Sequence, residues 1–186
     1  FMTFYNLVDS FFAGKISPEA LAAVAKSWPI TFIALAISIG IQAGTQALIS
    51  NSIGAKENKT ASLYVAQSII FAIITSFFVT SFGLNFSDEL LKIMGSTQES
   101  IILTREYLDI IFYGSIIILV QLSLNGTLSA QGDTKSYRNI LIFSFFINIF
   151  LNPLFIFGYG IIPGFGIAGL AISTLIAQSL GVFYLL

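Results

Sequence analysis

Residues 139–186 read NILIFSFFINIFLNPLFIFGYGIIPGFGIAGLAISTLIAQSLGVFYLL and contain no Asp, Glu, Lys or Arg. A helix needs about 20 apolar residues to cross the hydrocarbon core of a bilayer, so this stretch is long enough for two crossings. Its middle, GYGIIPGFG at 158–166, has the Gly and Pro residues that are typical of a turn. The stretch therefore predicts two membrane-spanning helices joined by a short connection.

The rest of the chain has the same character. Of the 186 residues, 56% are hydrophobic and 9% are charged, whereas a soluble domain carries about a quarter charged residues. Residues 27–55, 60–87 and 110–132 are also free of charged side chains, and each can hold one span. The sequence thus predicts an all-α integral membrane protein in contact with the lipid bilayer. The predicted helices cover 1–14, 18–53, 60–82, 97–129, 135–158 and 166–186. A hydroxyl cap at Ser96, with Glu99 three residues later, is expected to start the fourth of these helices.

The first apolar segment is too short to cross a bilayer, so we expect residues 1–186 to be a fragment whose first helix is truncated. The chain has no cysteine and no histidine, which excludes disulfides, thiolate chemistry, histidine metal sites and a Ser-His-Asp triad. The net charge of −1 gives no indication of a nucleic-acid partner. Positive charges are equally divided between the two sides of the predicted spans, so charge alone leaves the orientation undecided.

Asp9, in NLVDSFFAG at 6–14, is the one charged side chain well inside a predicted span. An ionised carboxylate there costs a few kcal/mol on insertion scales, so we expect Asp9 to be protonated, paired or bound to a cation. The alternative is that the first helix ends early and Asp9 lies at the wet interface, six residues before Lys15.

Two asparagines in the fifth predicted helix offer a partner for this acid. Asn148 and Asn152 are four residues apart and therefore on one helix face. Pro153 has no N–H to donate, which frees the carbonyl of Ile149. These oxygens would suit a small cation or support a carboxylate; the alternative is that the asparagines only join helices by hydrogen bonds. Polar pairs with the same spacing predict a bundle with a hydrated interior: Gln42 and Gln46, Gln121 and Asn125, Thr174 and Gln178.

The segments in this order resemble the amino-terminal lobe of the multidrug and toxic-compound extrusion (MATE) family. The resemblance is carried by NLVDSFFAGKISPEALAAVAKSWPI, GAKENKTAS, TREYLDI, NGTLSAQGDTK, INIFLNPLFIFG and GFGIAGLAISTLIAQ. It implies one six-helix lobe of a twelve-helix, multi-pass transporter of the cell (inner or plasma) membrane, with a C-terminal lobe as partner. It also implies an antiporter that exports small cationic or amphiphilic molecules in exchange for H⁺ or Na⁺, with no cofactor other than the coupling ion. Cytoplasmic loops are implied at 54–60 and 130–138.

The resemblance assigns the cation-coupling site to Asp9, Asn148, Tyr107 and Thr174. The fullest version of the family's site has an aspartate where this chain has Asn152, so the choice between H⁺ and Na⁺ stays open. A Na⁺ ion would be held by Asp9, Asn148, Asn152 and Thr174.

The alternative function is a flippase for lipids or lipid-linked oligosaccharides from the same superfamily. Such proteins often carry cationic residues in the central cavity to meet phosphates, and no Lys or Arg lies deep in a span here. A membrane enzyme is not expected, because neither a nucleophile–base pair nor a metal cluster is evident.

Overall fold

The computed structural model describes residues 2–160 and 162–185, and in these ranges the chain is almost entirely helical. The helices are α1 (Met2–Ile16), α2 (Pro18–Gly54), α3 (Asn58–Ile93), α4 (Gln98–Tyr113), α5 (Ser115–Ala130), α6 (Lys135–Phe157) and α7 (Gly166–Leu185).

Helices α2, α3, α6 and α7 are each long and apolar enough to cross a membrane, and α4 with α5 passes the same test as one span bent by 48°. Large apolar side chains point outward: Phe77, Phe78 and Phe150 are 69%, 72% and 74% exposed. A soluble protein would not present so many aromatic side chains to water, whereas lipid solvates them. The prediction of an all-α membrane protein is confirmed.

Two predicted helices differ from the observed ones. The helix predicted at 60–82 extends over Asn58–Ile93, because the charges that follow the apolar core do not interrupt helical hydrogen bonding. The helix predicted at 97–129 is broken at Gly114 into α4 and α5. A Cβ atom at Gly114 would lie 2.3 Å from the Leu175 side chain, so this point of closest packing against α7 requires glycine.

Hydrogen bonds from α3 stabilise the break. Thr80 Oγ1 donates to the backbone carbonyl of Phe112 at 2.7 Å and lies 2.9 Å from Ser115 Oγ. At a bend the carbonyls just before it lose their helical donors, and an unpaired buried carbonyl is costly. The break therefore depends on a residue more than thirty positions earlier in the chain, which local sequence patterns do not show.

Helix starts follow the expected chemistry with one correction. Ser17 Oγ accepts the N–H of Ala20 at 3.0 Å, and Pro18 is the first residue of α2. For α4 the cap is Thr97 and not the predicted Ser96, whose N–H instead donates to the carbonyl of Leu91 at the end of α3. Ser96 thus belongs to the turn that ends one helix, and the next residue starts the other.

Close packing of α6 against α7 positions the polar residues described next. A Cβ atom at Gly169 would lie 2.2 Å from the carbonyl oxygen of Phe155, so the two backbones touch there. The connection holds this approach, because the N–H of Phe165 donates to the same carbonyl at 2.8 Å. The serine and threonine one turn further along α7 are thereby brought beside the asparagines of α6.

Candidate cation site

Asp9 lies between helices and is only 5% exposed. Its Oδ1 accepts a hydrogen bond from Asn152 Nδ2 at 3.1 Å, and its Oδ2 accepts one from Thr174 Oγ1 at 3.3 Å. The carboxylate therefore connects α1 to both α6 and α7. The alternative that Asp9 sits at an exposed interface is wrong for this structure.

The two asparagines form one hydrogen-bonded unit with no solvent exposure. Asn152 Nδ2 donates to Asn148 Oδ1 at 3.0 Å, and Asn148 Nδ2 donates to Asn152 Oδ1 at 3.5 Å. Asn148 Nδ2 also donates to Thr174 Oγ1 at 3.2 Å. The asparagines thus do join helices, as one interpretation predicted, but they do so around the carboxylate of Asp9.

Ser173 belongs to this network and was missed by sequence reasoning. It is fully buried, and its hydroxyl donates to Asn152 Oδ1 and lies 2.9 Å from the carbonyl of Leu170. Its only sequence signal is its position beside Thr174, since the polar pairs at four-residue spacing do not include it. Together with Asp9, Asn148, Asn152 and Thr174 it forms what we call the Asp9 cluster.

Tyr107 is placed differently from the other predicted residues. It is half-buried and lines the cavity that also opens onto Asp9. Within the described residues, however, its hydroxyl makes no hydrogen bond to the carboxylate. Tyr107 is therefore a neighbour of the Asp9 cluster across the cavity.

The cavity beside the cluster has a volume of about 340 Å³ and is bordered by every helix except α3. Among the described residues that line it, Asp9 is the only one with a charge. The predicted hydrated interior is confirmed for Gln121, Thr174 and Gln178, which all line this cavity. It is wrong for Gln46, which is exposed on the outside of α2.

The donor set of the Asp9 cluster consists of one carboxylate and the neutral oxygens of two carboxamides and a threonine. In the described part of the chain, no group of three or more His, Cys, Asp or Glu side chains is placed to hold a metal ion. A single carboxylate with neutral oxygens balances one positive charge, whereas Ca²⁺ and Mg²⁺ sites usually combine more oxygen ligands or waters. The cluster fits one proton or one monovalent cation.

The chain is similar to known membrane proteins over nearly all of its length. It is 30% identical over 171 residues to an FAD transporter of Shewanella oneidensis, covering 92% of this chain and 38% of the relative. It is 26% identical over 183 residues to the multidrug export protein MepA of Staphylococcus aureus, covering 97% of this chain and 40% of the relative. The chain thus spans about two fifths of the length of these relatives.

Solved structures show the same fold. A crystal structure of MATE in the bent conformation matches with a TM-score of 0.92 at 30% identity, covering 99% of this chain and 40% of that one. An inward-facing multidrug-resistance MATE transporter matches with a TM-score of 0.91 at 30% identity, covering 100% and 41%. The family model described as MatE matches residues 1–154. This chain is a multi-pass membrane protein that belongs to the MatE family.

Proposed function

We propose that this chain is the ion-coupling lobe of a secondary active antiporter in the cell membrane. The antiporter exports small organic cations or other drugs in exchange for H⁺ or Na⁺. The observation that carries the proposal is the burial of Asp9, which is held by one donor from α6 and one from α7. Relatives described as an FAD transporter and a multidrug export protein support export of small molecules.

Ion binding at Asp9 would change how α1 is attached to its neighbours. Both carboxylate oxygens accept hydrogen bonds, which requires the ionised form. A proton on either oxygen would turn an acceptor into a donor that faces the amide of Asn152 or the hydroxyl of Thr174. A Na⁺ ion would need the oxygens of these groups in place of their hydrogens. Either ion therefore weakens the contacts between α1 and the α6–α7 pair as they stand.

Coupling follows if the two lobe packings bind the ion with different affinity. A ligand shifts a conformational equilibrium only by its differential affinity for the two states. The ion-free state is the one in which Asp9 accepts both hydrogen bonds, and the ion-bound state favours a repacked α1. Because α1 and Asp9 also border the cavity, this repacking changes the space in which an exported molecule would bind.

The flippase alternative is less well supported. A phosphate headgroup calls for Lys or Arg in the cavity, and none is among the described residues that line it.

The test uses the protein expressed from its complete gene in everted membrane vesicles, with uptake of ethidium measured under imposed H⁺ or Na⁺ gradients. We expect Asp9→Asn to abolish gradient-driven uptake under both ions. Asp88→Asn is the matched control, because Asp88 is about half exposed beside Arg105 and lies outside the Asp9 cluster. Unchanged ion dependence in Asp9→Asn would overturn the proposal.

A further inference from the structure

Three polar side chains line the cavity without taking part in the Asp9 cluster. They are Gln121 on α5, Tyr137 on the first turn of α6 and Gln178 on α7. Gln121 is 5% exposed, yet its carboxamide makes no hydrogen bond within the described residues. The Oε1 atom of Gln178 is buried and has no donor in the same part of the chain.

Unpaired carboxamides are unusual inside a protein. Most buried polar side-chain atoms have a hydrogen-bond partner, and each exception calls for an explanation such as a bound molecule. Leaving a buried acceptor without a donor forfeits the hydrogen bond that water supplied in the unfolded chain. Gln121 and Gln178 present two such exceptions on one cavity wall.

The surrounding backbone makes room for these groups. A Cβ atom at Gly181 would lie 2.6 Å from Ile140 Cγ2 and 3.1 Å from Gln121 Nε2, so the absence of a side chain there accommodates the Gln121 carboxamide. Ser144 Oγ donates to the carbonyl of Ala177 at 3.0 Å, which joins α6 to α7 one residue before Gln178. The two carboxamides are therefore held by close helix packing.

These residues lie at the far end of the cavity from the asparagines. Gln178 is one helical turn beyond Thr174 on α7. Tyr137 precedes Asn148 by eleven residues on α6, which corresponds to about 16 Å along the helix axis. A molecule bound at this end would be separated from the ion cluster, but both would share one cavity.

The available chemistry favours a neutral ligand. A carboxamide presents a donor and an acceptor side by side, which matches the adjacent N–H and C=O of a cyclic amide or imide. Aromatic side chains of Trp28, Phe112 and Tyr137 contribute to the walls, and flat rings pack well against them. With no charge at this end among the described lining residues, hydrogen bonding and ring packing are what recognise the ligand.

We propose that Gln121 and Gln178 form a subsite for neutral, planar heterocycles that carry an amide or imide edge. This inference rests on the proposed export function and names a substrate class for the same cavity. Gln178 Oε1 accepts the ring N–H, and Gln121 donates to the neighbouring carbonyl.

The experiment uses 4-aminophthalimide, a neutral imide whose fluorescence rises when it leaves water, and its N-methylated analogue, which lacks the imide N–H. Each is titrated into the purified protein from the complete gene. We expect N-methylation to weaken binding to the wild type about threefold to tenfold, the range for one neutral hydrogen bond. Gln178→Met and Gln121→Met keep the side-chain length and remove the carboxamide. In Gln178→Met the two probes should bind with equal affinity.

The wild-type comparison needs no variant to fold, so the proposal is decided even if a methionine variant is unstable. Equal binding of the two probes to the wild type, or undiminished discrimination in Gln178→Met, would overturn it; the first result would mean that the carboxamides hold only water. Asp9→Asn separates the two proposals. If the subsite is right and the ion role wrong, this variant still discriminates between the probes and keeps its ion dependence.

Discussion

Replacing Gly169 by alanine should loosen the Asp9 cluster without altering any residue in it. The new Cβ atom would lie 2.2 Å from the carbonyl oxygen of Phe155, and real Cβ atoms essentially never approach another atom closer than 3.0 Å. The backbones of α6 and α7 must therefore separate by about 0.8 Å, the difference between these two distances. The donor and acceptor of the Asn148–Thr174 hydrogen bond, now 3.2 Å apart, would move to about 4.0 Å, beyond hydrogen-bonding range.

The energetic cost can be worked out from the same geometry. Two side-chain hydrogen bonds join α6 to α7 at this level, from Asn148 to Thr174 and from Ser173 to Asn152. Losing both costs about 1–3 kcal/mol, and overpacking a close helix contact costs a further ~1–3 kcal/mol. Alanine returns about 1 kcal/mol through its higher helix propensity. The net destabilisation should be roughly 1–5 kcal/mol.

The assay compares thermal unfolding in detergent and gradient-driven ethidium uptake for the wild type, Gly169→Ala and a matched control. Gly40→Ala is that control: it lies on α2, and a Cβ atom there meets nothing within 4 Å. The control should gain the same helix propensity and unfold no earlier than the wild type. We expect Gly169→Ala to unfold at a lower temperature and to lose ion coupling. A variant as stable and as well coupled as Gly40→Ala would refute the claim that α6–α7 contact positions the cluster.

Three further changes test separate contacts. Ser173→Ala should weaken ion-dependent uptake while leaving the protein folded, because a buried carboxamide oxygen on α6 loses one of its two donors at a cost of about 1 kcal/mol; thermal unfolding and uptake measure the two effects. Thr80→Val should destabilise the protein by about 1–3 kcal/mol, since the carbonyl of Phe112 loses its donor at the α4–α5 break; Thr31→Val, on the outside of α2, serves as its comparison. Hydrogen bonds from a serine side chain and backbone hold the pKa of Asp133 below its usual value at the start of α6. This cap should be present at neutral pH and lost only as the pH falls through the lowered pKa, so hydrogen exchange in that first turn, corrected for intrinsic rates, should rise at strongly acidic pH and already at pH 7 in Asp133→Ala.

Much of the site could be predicted from local sequence because its residues stand out against an apolar background. Asp9 was conspicuous as a single acid in a span, and Asn148 and Asn152 were conspicuous through their four-residue spacing. Resemblance to a family added Tyr107 and Thr174, which no spacing rule would have selected. Ser173 was not predicted, because serine is common in membrane helices and its partner lies 21 residues away on another helix.

The amino-acid sequence by itself determined that this protein is a bundle of membrane helices, because charge-free runs of sufficient length have one stable environment. Only the tertiary structure decided that α4 and α5 are separate helices, that Asp9 meets α6 and α7, and that Gln121 and Gln178 are left without partners. The physical reason is that helix formation and lipid solvation depend on neighbouring residues. A break, a buried hydrogen bond or an unpaired carboxamide depends instead on atoms that other helices bring from far along the chain.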